Sequence, residues 1–292
     1  MGQGYARCGA AQGDHMRLRG IRRSRNIEDR RRMGGRAGAG IGGVGLLIVL
    51  AVGYFAGIDV TPLLQGMPQQ QSAPRELSSE EERAAEFSAQ VLATTEEVWG
   101  QIFPRQVGRD YTPPVMVLYS GVTQSPCGGA SGATGPFYCP ADRKAYLDTE
   151  FFSTLSRELG ARGDFAAAYV IAHEVAHHVQ NELGILGQVN ERRQAVGQAR
   201  ANALTVRLEL QADCLSGVWA RAVDGLLEPG DLKEALNAAR MIGDDHLQRR
   251  AGRVPQPHTF THGTSEQRAR WFTAGYETGD INSCNTFQAR NL

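Results

Sequence analysis

The sequence lacks an excess of charge of either sign. Its 31 lysine and arginine residues balance 31 aspartate and glutamate residues, so the formal net charge is zero. A neutral chain gives no electrostatic reason to expect an acidic partner, so nucleic acid is not predicted as a ligand. No internal repeat is present, and a length of 292 residues suits one compact domain with appendages.

A second absence is local, because residues 37–58 contain no charged side chain. Roughly 20 apolar residues are enough to span a bilayer core as a helix. We predict a transmembrane helix over residues 39–58, with a buried soluble helix and a cleaved signal peptide as the alternatives. Arginines crowd the preceding residues, and positive charge beside a membrane helix is typical of its cytoplasmic side. The predicted location is the cytoplasmic (inner) membrane, with a single pass, the N-terminus in the cytoplasm and residues after Ile58 periplasmic or extracellular.

The predicted organisation has four parts. Residues 1–38, rich in arginine and glycine, are predicted to be a disordered basic cytoplasmic segment in which Met16 is an alternative start. A basic arm that binds nucleic acid is the alternative for this segment. The transmembrane helix follows at 39–58, then a linker rich in glutamine and proline at 59–77. The folded domain is predicted at 78–292.

Cysteine usage indicates disulfides, with three pairings open. Of the five cysteines, Cys127, Cys139, Cys214 and Cys284 follow the predicted membrane helix. An even number of cysteines in an oxidising compartment favours disulfides. Cys127–Cys139 is local and therefore preferred, which leaves Cys214–Cys284. A cysteine zinc site is the alternative, but the sequence contains no CxxC spacing.

Helix signals outnumber strand signals in the domain. Capping boxes at Ser78 with Glu81 and at Thr264 with Gln267 predict two helix starts. Helices are predicted over 78–103, 164–184 (with Asp164 as N-cap), 190–223, 230–243 and from 264 onward. Strands are predicted at 115–119, 137–139 and 145–147, around a glycine-rich loop at 127–135. The predicted fold is therefore α+β and mainly helical.

The segment His173-Glu174-Val175-Ala176-His177 is the strongest chemical signal. Histidines four apart on a helix share one face, and two imidazoles so placed can bind one zinc ion. Glu174 can reach a zinc-bound water and take its proton as the water attacks a carbonyl. Some helices carry this motif by chance and bind no metal. His178 lies a helical step of about 100° away and is interpreted as a packing residue or one behind the ligands.

The third ligand is expected from the long downstream helix, where Glu209 and Asp213 are also four residues apart. Glu209 can complete a His₂Glu site with water in the fourth position. Asp213 can accept the free ring N–H of a ligand histidine and fix its tautomer. The alternative is a solvated acidic face, but the neighbouring residues are apolar and buried carboxylates need a partner. The metzincin pattern is absent, because it needs glycine at Gln180 and histidine at Leu183.

His262 and Arg268 flank the start of the last predicted helix. A histidine and an arginine near zinc could stabilise the oxyanion of a tetrahedral intermediate. The alternative is an ordinary capped surface helix, and the spacing alone gives both interpretations equal weight.

Together these motifs resemble the gluzincin peptidases, of which thermolysin is the best-known member. The resemblance implies that Glu209 is the third zinc ligand and that Asp213 orients a ligand histidine. His262 with Arg268 is similar to the downstream His…Arg pair of the CAAX-prenyl protease group, a membrane branch of gluzincins, which implies a catalytic role for His262. Gluzincins hold the substrate in extended form along a strand beside the active-site helix, and residues 135–148 could supply that edge strand.

A closer resemblance extends over nearly the whole chain from Met16. This resemblance rests on the single predicted membrane helix and on the segments 26–31, 135–140, 168–175 and 262–264. They are similar to the family of putative neutral zinc metallopeptidases, small bacterial proteins with one membrane anchor. The resemblance implies a zinc metallopeptidase with one Zn²⁺ per chain and a peptide or protein as substrate.

The resulting hypothesis is a membrane-anchored zinc-dependent endopeptidase. Zinc ligands are predicted at His173, His177 and Glu209, and Glu174 is the predicted general base. The alternative is a membrane-tethered binding or structural domain in which a non-catalytic zinc ion only holds the fold. No oligomeric state is predicted.

Overall fold

The computed structural model of the protein describes residues 16–32, 76–131, 135–157, 160–161 and 163–292. The strands are β1 (Ile27–Asp29), β2 (Val115–Tyr119), β3 (Val122–Ser125), β4 (Gly128–Ser131), β5 (Phe137–Cys139) and β6 (Lys144–Asp148). The α-helices are α1 (Ser79–Ile102), α2 (Phe151–Arg157), α3 (Asp164–Glu182), α4 (Ile185–Gln194), α5 (Gln198–Ala222), α6 (Asp231–Met241), α7 (Asp244–Arg250) and α8 (Ser265–Thr278). The predicted mainly helical α+β fold is confirmed.

The predicted membrane helix at 39–58 lies outside the described residues, as does nearly all of the predicted linker. Within the described ranges, no helix combines the length and the apolar character needed to cross a membrane.

Both predicted capping boxes are present. The Ser78 hydroxyl accepts the Glu81 N–H while the Glu81 carboxylate accepts the Ser78 N–H, and Thr264 with Gln267 forms the same reciprocal pair. Each box satisfies backbone donors that the first turn of a helix leaves without partners. The starts of α1 and α8 are therefore encoded locally.

Three local predictions are corrected. Asp164 is not the N-cap of α3, because Gly163 occupies that position and the Glu234 carboxylate accepts the Phe165 N–H. The predicted single helix at 190–223 is two helices, since the chain turns at Gly197, whose extended backbone is the N-cap of α5. Part of the predicted loop at 127–135 forms β4, which pairs antiparallel with β3.

The main sheet has the strand order β1-β2-β6-β5. Strands β1, β2 and β6 run parallel, whereas β5 is antiparallel to β6 and lies at the edge of the sheet. The predicted strand pair on either side of the Pro-Ala-Asp turn is therefore confirmed as β5 and β6. The arrangement places β5 beside α3, the helix that carries the HExxH segment.

Helix α5 packs against α8 with almost no space between the two backbones. A Cβ atom at Gly217 would lie 2.0 Å from the Phe272 carbonyl oxygen, and one at Gly275 would lie 1.9 Å from the Cys214 carbonyl oxygen. Only glycine, which has no Cβ, allows this approach. The close contact lets Arg268 of α8 reach Asp213 of α5.

Both preferred disulfides are formed, Cys127–Cys139 and Cys214–Cys284. The first joins the turn between β3 and β4 to the end of β5. The second joins α5 to the C-terminal 3₁₀ turn at Ile281–Cys284. Of the three possible pairings, the structure contains the one that the local spacing favoured.

Residues 16–32 pack against the domain, so the prediction of disorder over 1–38 is wrong for this part. Met16 and Leu18 are buried in the main core, and β1 pairs with β2 through Ile27, Glu28 and Asp29. The buried Arg31 guanidinium bonds to the Asp29 carboxylate. Basic composition alone indicated disorder, but the segment contributes apolar side chains and six of its arginines have carboxylate partners, namely Arg17, Arg22, Arg23, Arg30, Arg31 and Arg32.

Hydrogen bonding between β1 and β2 places residues 16–32 on the same side of any membrane as the domain. This conflicts with the predicted topology, in which a single crossing at 39–58 separates the two. We expect cysteines at the exposed positions Arg25 and Arg270 to behave alike towards a membrane-impermeant maleimide in intact cells. The measurement uses Arg25→Cys and Arg270→Cys in a Cys8→Ser background, since the other four cysteines are in disulfides.

Labelling in lysed cells is the control for reactivity of both positions. If intact cells label one position and protect the other, the chain crosses the membrane between them and β1 cannot pair with β2 in the cell.

Candidate metal centre

Helix α3 presents its two motif histidines side by side. The ring centroids of His173 and His177 are 4.8 Å apart and the rings are perpendicular. Most of α3 is buried among α1, α5 and α6, and His173 and Glu174 are themselves buried. The apolar sequence of α3 therefore fixes the helix in the core, while one short face of it reaches a cleft.

Glu209 of α5 completes a triangle of potential ligand atoms. Its Oε2 lies 3.1 Å from His173 Nε2, and its Oε1 lies 3.5 Å from His177 Nε2. Tetrahedral zinc with bonds of about 2.0–2.1 Å needs ligand atoms about 3.3 Å apart. The spacing and the donor types of His173, His177 and Glu209, which form one of the groups able to hold a metal ion, therefore fit zinc.

The Nδ1 atoms of both histidines are held by groups behind them. His173 Nδ1 lies 2.9 Å from Asp213 Oδ1, and His177 Nδ1 lies 2.8 Å from Gln180 Oε1. Since a carboxylate and an amide oxygen can only accept, each Nδ1 carries the proton. Both Nε2 atoms are then directed at the Glu209 carboxylate, as a shared metal ion requires.

Electrostatics favour a cation at this position. Burial acts to raise the pKa of Glu209, but the charge of His177 and the hydrogen bonds of both histidines hold it well below its usual value. Burial acts to lower the pKa of His173, but Asp213 and Glu209 outweigh it and raise that pKa to about 10. A metal ion that binds His173 must therefore displace a proton, which makes binding pH-dependent.

Asp213 lies at the centre of a buried hydrogen-bond network. It accepts hydrogen bonds from His173, from the Tyr169 hydroxyl and from two nitrogens of Arg268, with Nε to Oδ2 at 2.8 Å and Nη2 to Oδ1 at 2.9 Å. Burial acts to raise the pKa of Asp213, but Arg268 and His173 hold it at about 2. The contact with His173 Nδ1 is the one that the predicted role of Asp213 needs, and the role itself stays a prediction.

Arg268 makes its side-chain hydrogen bonds inside the protein. Its side chain is buried, and its third nitrogen donates to the Ile242 carbonyl at 3.3 Å. Four of the five guanidinium N–H groups bind Asp213, Tyr169 and Ile242. Arg268 therefore positions Asp213, while its direct catalytic role towards a substrate oxyanion stays a prediction.

The ligand triangle lies at the floor of a cleft of about 850 Å³. Glu174 lines this cleft beside the histidines, and burial raises its pKa, although the charges of His177 and His173 oppose the shift. One wall is the segment from Gly135 to Tyr138, which contains the start of β5. The edge strand therefore borders the same cleft as the predicted ligands.

His262 also lines the cleft, on a loop held by Asp244. One carboxylate oxygen of Asp244 accepts the backbone N–H groups of Thr261, His262 and Gly263 at 2.7, 2.6 and 3.0 Å. The other oxygen lies 3.3 Å from His262 Nδ1, so Nε2 is the nitrogen that can act on a ligand in the cleft. Burial acts to raise the pKa of Asp244, but these contacts lower it.

His178, interpreted from the sequence as a packing residue or one behind the ligands, has both ring nitrogens in hydrogen bonds. Its Nε2 lies 2.7 Å from the Thr112 carbonyl and therefore donates, so Nδ1 accepts from the Tyr138 hydroxyl at 3.0 Å. Burial lowers the pKa of His178, which keeps the ring neutral.

Sequence reasoning missed Tyr169, Gln180, Gln211 and Asp244. Tyr169 and Gln180 lie four residues before and three after the motif histidines, so helical spacing could have indicated them. The sequence held no comparable signal for Gln211 or Asp244, because their partners come from distant segments.

Removing Arg268 should destabilise the protein, because the Asp213 charge would remain buried without its counter-ion. We expect Arg268→Ala to lower the free energy of unfolding by about 3–5 kcal/mol. Arg249→Ala is the matched control, since Arg249 pairs with Asp245 at an exposed site and such pairs contribute about 0–1 kcal/mol. Urea denaturation measures both, and equal small losses would contradict the central position of the buried pair.

The comparisons with known proteins agree with this site. Residues 16–287 match a protein family described as "Putative neutral zinc metallopeptidase". The chain is 50% identical over 285 residues to uncharacterized protein YpfJ of Escherichia coli strain K12, which covers 93% of this chain and 99% of that protein. It is 45% identical over 208 residues to uncharacterized protein Rv2575 of Mycobacterium tuberculosis strain H37Rv, covering 67% of this chain and 68% of that one. No solved structure matches. The chain therefore belongs to the family of putative neutral zinc metallopeptidases.

Proposed function

We propose that this protein is a zinc-dependent endopeptidase of gluzincin type. The observation that carries the proposal is the triangle of His173, His177 and Glu209 at the floor of a cleft, with Glu174 beside it. Structural zinc sites are usually closed by four protein ligands, whereas catalytic sites have three and keep one position for water or substrate. A three-ligand site that faces a cleft supports catalysis over a purely structural role.

Zinc in this site would supply a Lewis acid that polarises a peptide carbonyl and acidifies water. Glu174 is the group that moves protons. Its carboxylate accepts a proton from the attacking water and later returns that proton to the nitrogen of the leaving amine. The raised pKa of Glu174 suits this exchange, because a general acid–base group works best with a pKa near the working pH.

The substrate backbone would lie along β5. This strand has β6 as its partner on one side, and the segment leading into it lines the cleft on the other. An extended peptide that adds to a sheet edge gains main-chain hydrogen bonds, which give affinity with little dependence on sequence. Cys127–Cys139 fixes the end of β5 and so maintains this edge.

His262 would stabilise the oxyanion that forms on the substrate carbonyl. Asp244 holds the His262 ring through Nδ1 and holds its backbone through Oδ2. With the Nδ1 proton directed at Asp244, Nε2 can donate to an oxyanion only when the ring carries protons on both nitrogens, a charged form that the Asp244 carboxylate favours. Hydrogen bonds aimed at developing charge are strong when the donor is fixed in advance.

Replacing Glu174 by glutamine should separate metal binding from catalysis. Glutamine keeps the shape of the side chain but cannot accept the proton, and general-base groups typically contribute 10²–10⁴-fold to the rate. We expect Glu174→Gln to bind zinc like the wild type and to lose hydrolysis of casein by roughly that factor. Glu277→Gln, at an exposed position on α8, is the matched control and should retain full activity.

The zinc content of each chain, measured by atomic absorption, accompanies the assay. Zinc in both proteins with no hydrolysis in either would favour the tethered binding domain with a non-catalytic zinc ion. Absence of zinc from the wild-type protein would refute the proposed site.

Loss of the His262 side chain should slow the reaction without releasing zinc. We expect His262→Ala to lower kcat by about 10²–10³-fold, the usual cost of removing one oxyanion donor. Asp244→Asn should lower kcat in the same direction but less, because the amide still accepts backbone hydrogen bonds yet loses the charge beside Nδ1. An unchanged kcat in His262→Ala would contradict the oxyanion role and favour the alternative, in which His262 only belongs to a surface loop before a capped helix.

A further inference from the structure

Two buried glutamines connect His177 to the C-terminal turn of the chain. Gln180 Oε1 accepts the His177 Nδ1–H at 2.8 Å, and Gln180 Nε2 donates to Gln211 Oε1 at 3.1 Å. Gln211 Nε2 in turn donates to the Cys284 carbonyl at 3.0 Å. The Gln180 side chain is fully enclosed and Gln211 is 6% exposed, so water competes little for these bonds.

The direction of this chain of hydrogen bonds is set by backbone carbonyls. The nitrogen and oxygen of a glutamine amide have almost the same size and shape, so their hydrogen-bond partners decide which atom is which. Gln180 Nε2 lies 2.7 Å from the Leu208 carbonyl, which can only accept, so the Gln180 nitrogen must face α5 and its oxygen must face His177. The Cys284 carbonyl orients Gln211 in the same way.

The consequence concerns which nitrogen of His177 is protonated. With the Gln180 oxygen fixed towards Nδ1, that nitrogen carries a proton, so in the neutral ring that binds a metal the lone pair is on Nε2, beside Glu209. Groups behind a metal-ligating histidine fix its tautomer and orientation, and losing one typically costs 10–100-fold in metal affinity. His173 has a charged carboxylate for this purpose, whereas His177 has a neutral amide.

We propose that Gln180 and Gln211 are positioning residues that act in series to hold His177 in the tautomer that binds zinc. This rests on the proposed function, since it requires a zinc ion at Nε2. Leu208 directly precedes the ligand Glu209, and Cys284 is cross-linked to Cys214, the neighbour of Asp213. We call the hydrogen-bond chain from His177 through Gln180 and Gln211 to Cys284 the relay. It fixes the orientation of His177 against α5, the helix that carries Glu209 and Asp213.

Zinc affinity of the full-length protein is the test, measured by competition with a fluorescent zinc chelator. We expect Gln180→Leu to bind zinc roughly 10- to 100-fold more weakly than the wild type. Gln180→Glu should recover part of this loss, because its carboxylate still accepts the His177 N–H. Gln211→Leu should give a smaller loss, and adding it to Gln180→Leu should give no further loss, because the two residues act in series.

A merely structural role is distinguished by a matched control. Thr94→Val removes the buried partner of the Trp219 indole N–H, a hydrogen bond between α1 and α5 that involves none of the predicted ligands, and should lower the Tm of the metal-free protein without changing zinc affinity. Wild-type affinity in folded Gln180→Leu, or losses that follow Tm in all variants including Thr94→Val, would overturn the proposal. If Gln180→Leu does not fold, unchanged affinity in Gln211→Leu would overturn it.

These measurements involve no hydrolysis. A protein that binds zinc but cleaves no peptide would refute the proposed peptidase and still test the relay, so the two failures are distinguishable. A wild type that binds no zinc would overturn both.

Discussion

The buried ion pair between Asp213 and Arg268 is the interaction on which the rest of the metal centre depends. It joins α5 to α8, and through Tyr169 and His173 it also joins both to α3. A buried carboxylate with a single partner would be costly, but Asp213 has hydrogen bonds from several donors and a full opposite charge. His173 therefore receives a charged acceptor at Nδ1, which the desolvated interior would otherwise not allow.

The backbone supports this network through close packing. The contact of Gly217 and Gly275 with the facing helix brings α5 and α8 near enough for Arg268 to reach Asp213. The Cys214–Cys284 disulfide holds the C-terminal turn against the same helix, where the Cys284 carbonyl receives Gln211. The groups that hold both histidines thus belong to α5 or are hydrogen-bonded to it, and α5 also carries Glu209.

Two parts of the cleft lining are built differently. In one, β5 is the edge of a sheet whose other end is β1, so residues 27–29, far away in sequence, help to place this lining beside the metal centre. In the other, Asp244 organises the His262 loop with one carboxylate. A sheet edge can form main-chain hydrogen bonds with an extended peptide. A histidine fixed on a loop can instead stabilise charge that develops in a transition state.

Local sequence determined the features that depend on neighbours along the chain. The capping boxes at Ser78 and Thr264, the strands β2, β5 and β6, and the helix that carries His173 and His177 follow from spacing and side-chain chemistry within a few turns. The pairing of Glu209 and Asp213 on one helical face was also local, so their roles at the site could be inferred.

Only the tertiary structure decided what distant segments do to one another. The pairing of β1 with β2 outweighed the basic composition that indicated disorder, and no local pattern shows a strand partner almost ninety residues away. The contact of Arg268 with Asp213 had no signal in the sequence, since spacing along α8 cannot show which residue of α5 lies next to it. The physical reason is the same in both cases. Propensity and periodicity act over a few residues, whereas a buried charge or an unpaired strand edge finds its partner among the groups that the folded chain brings near.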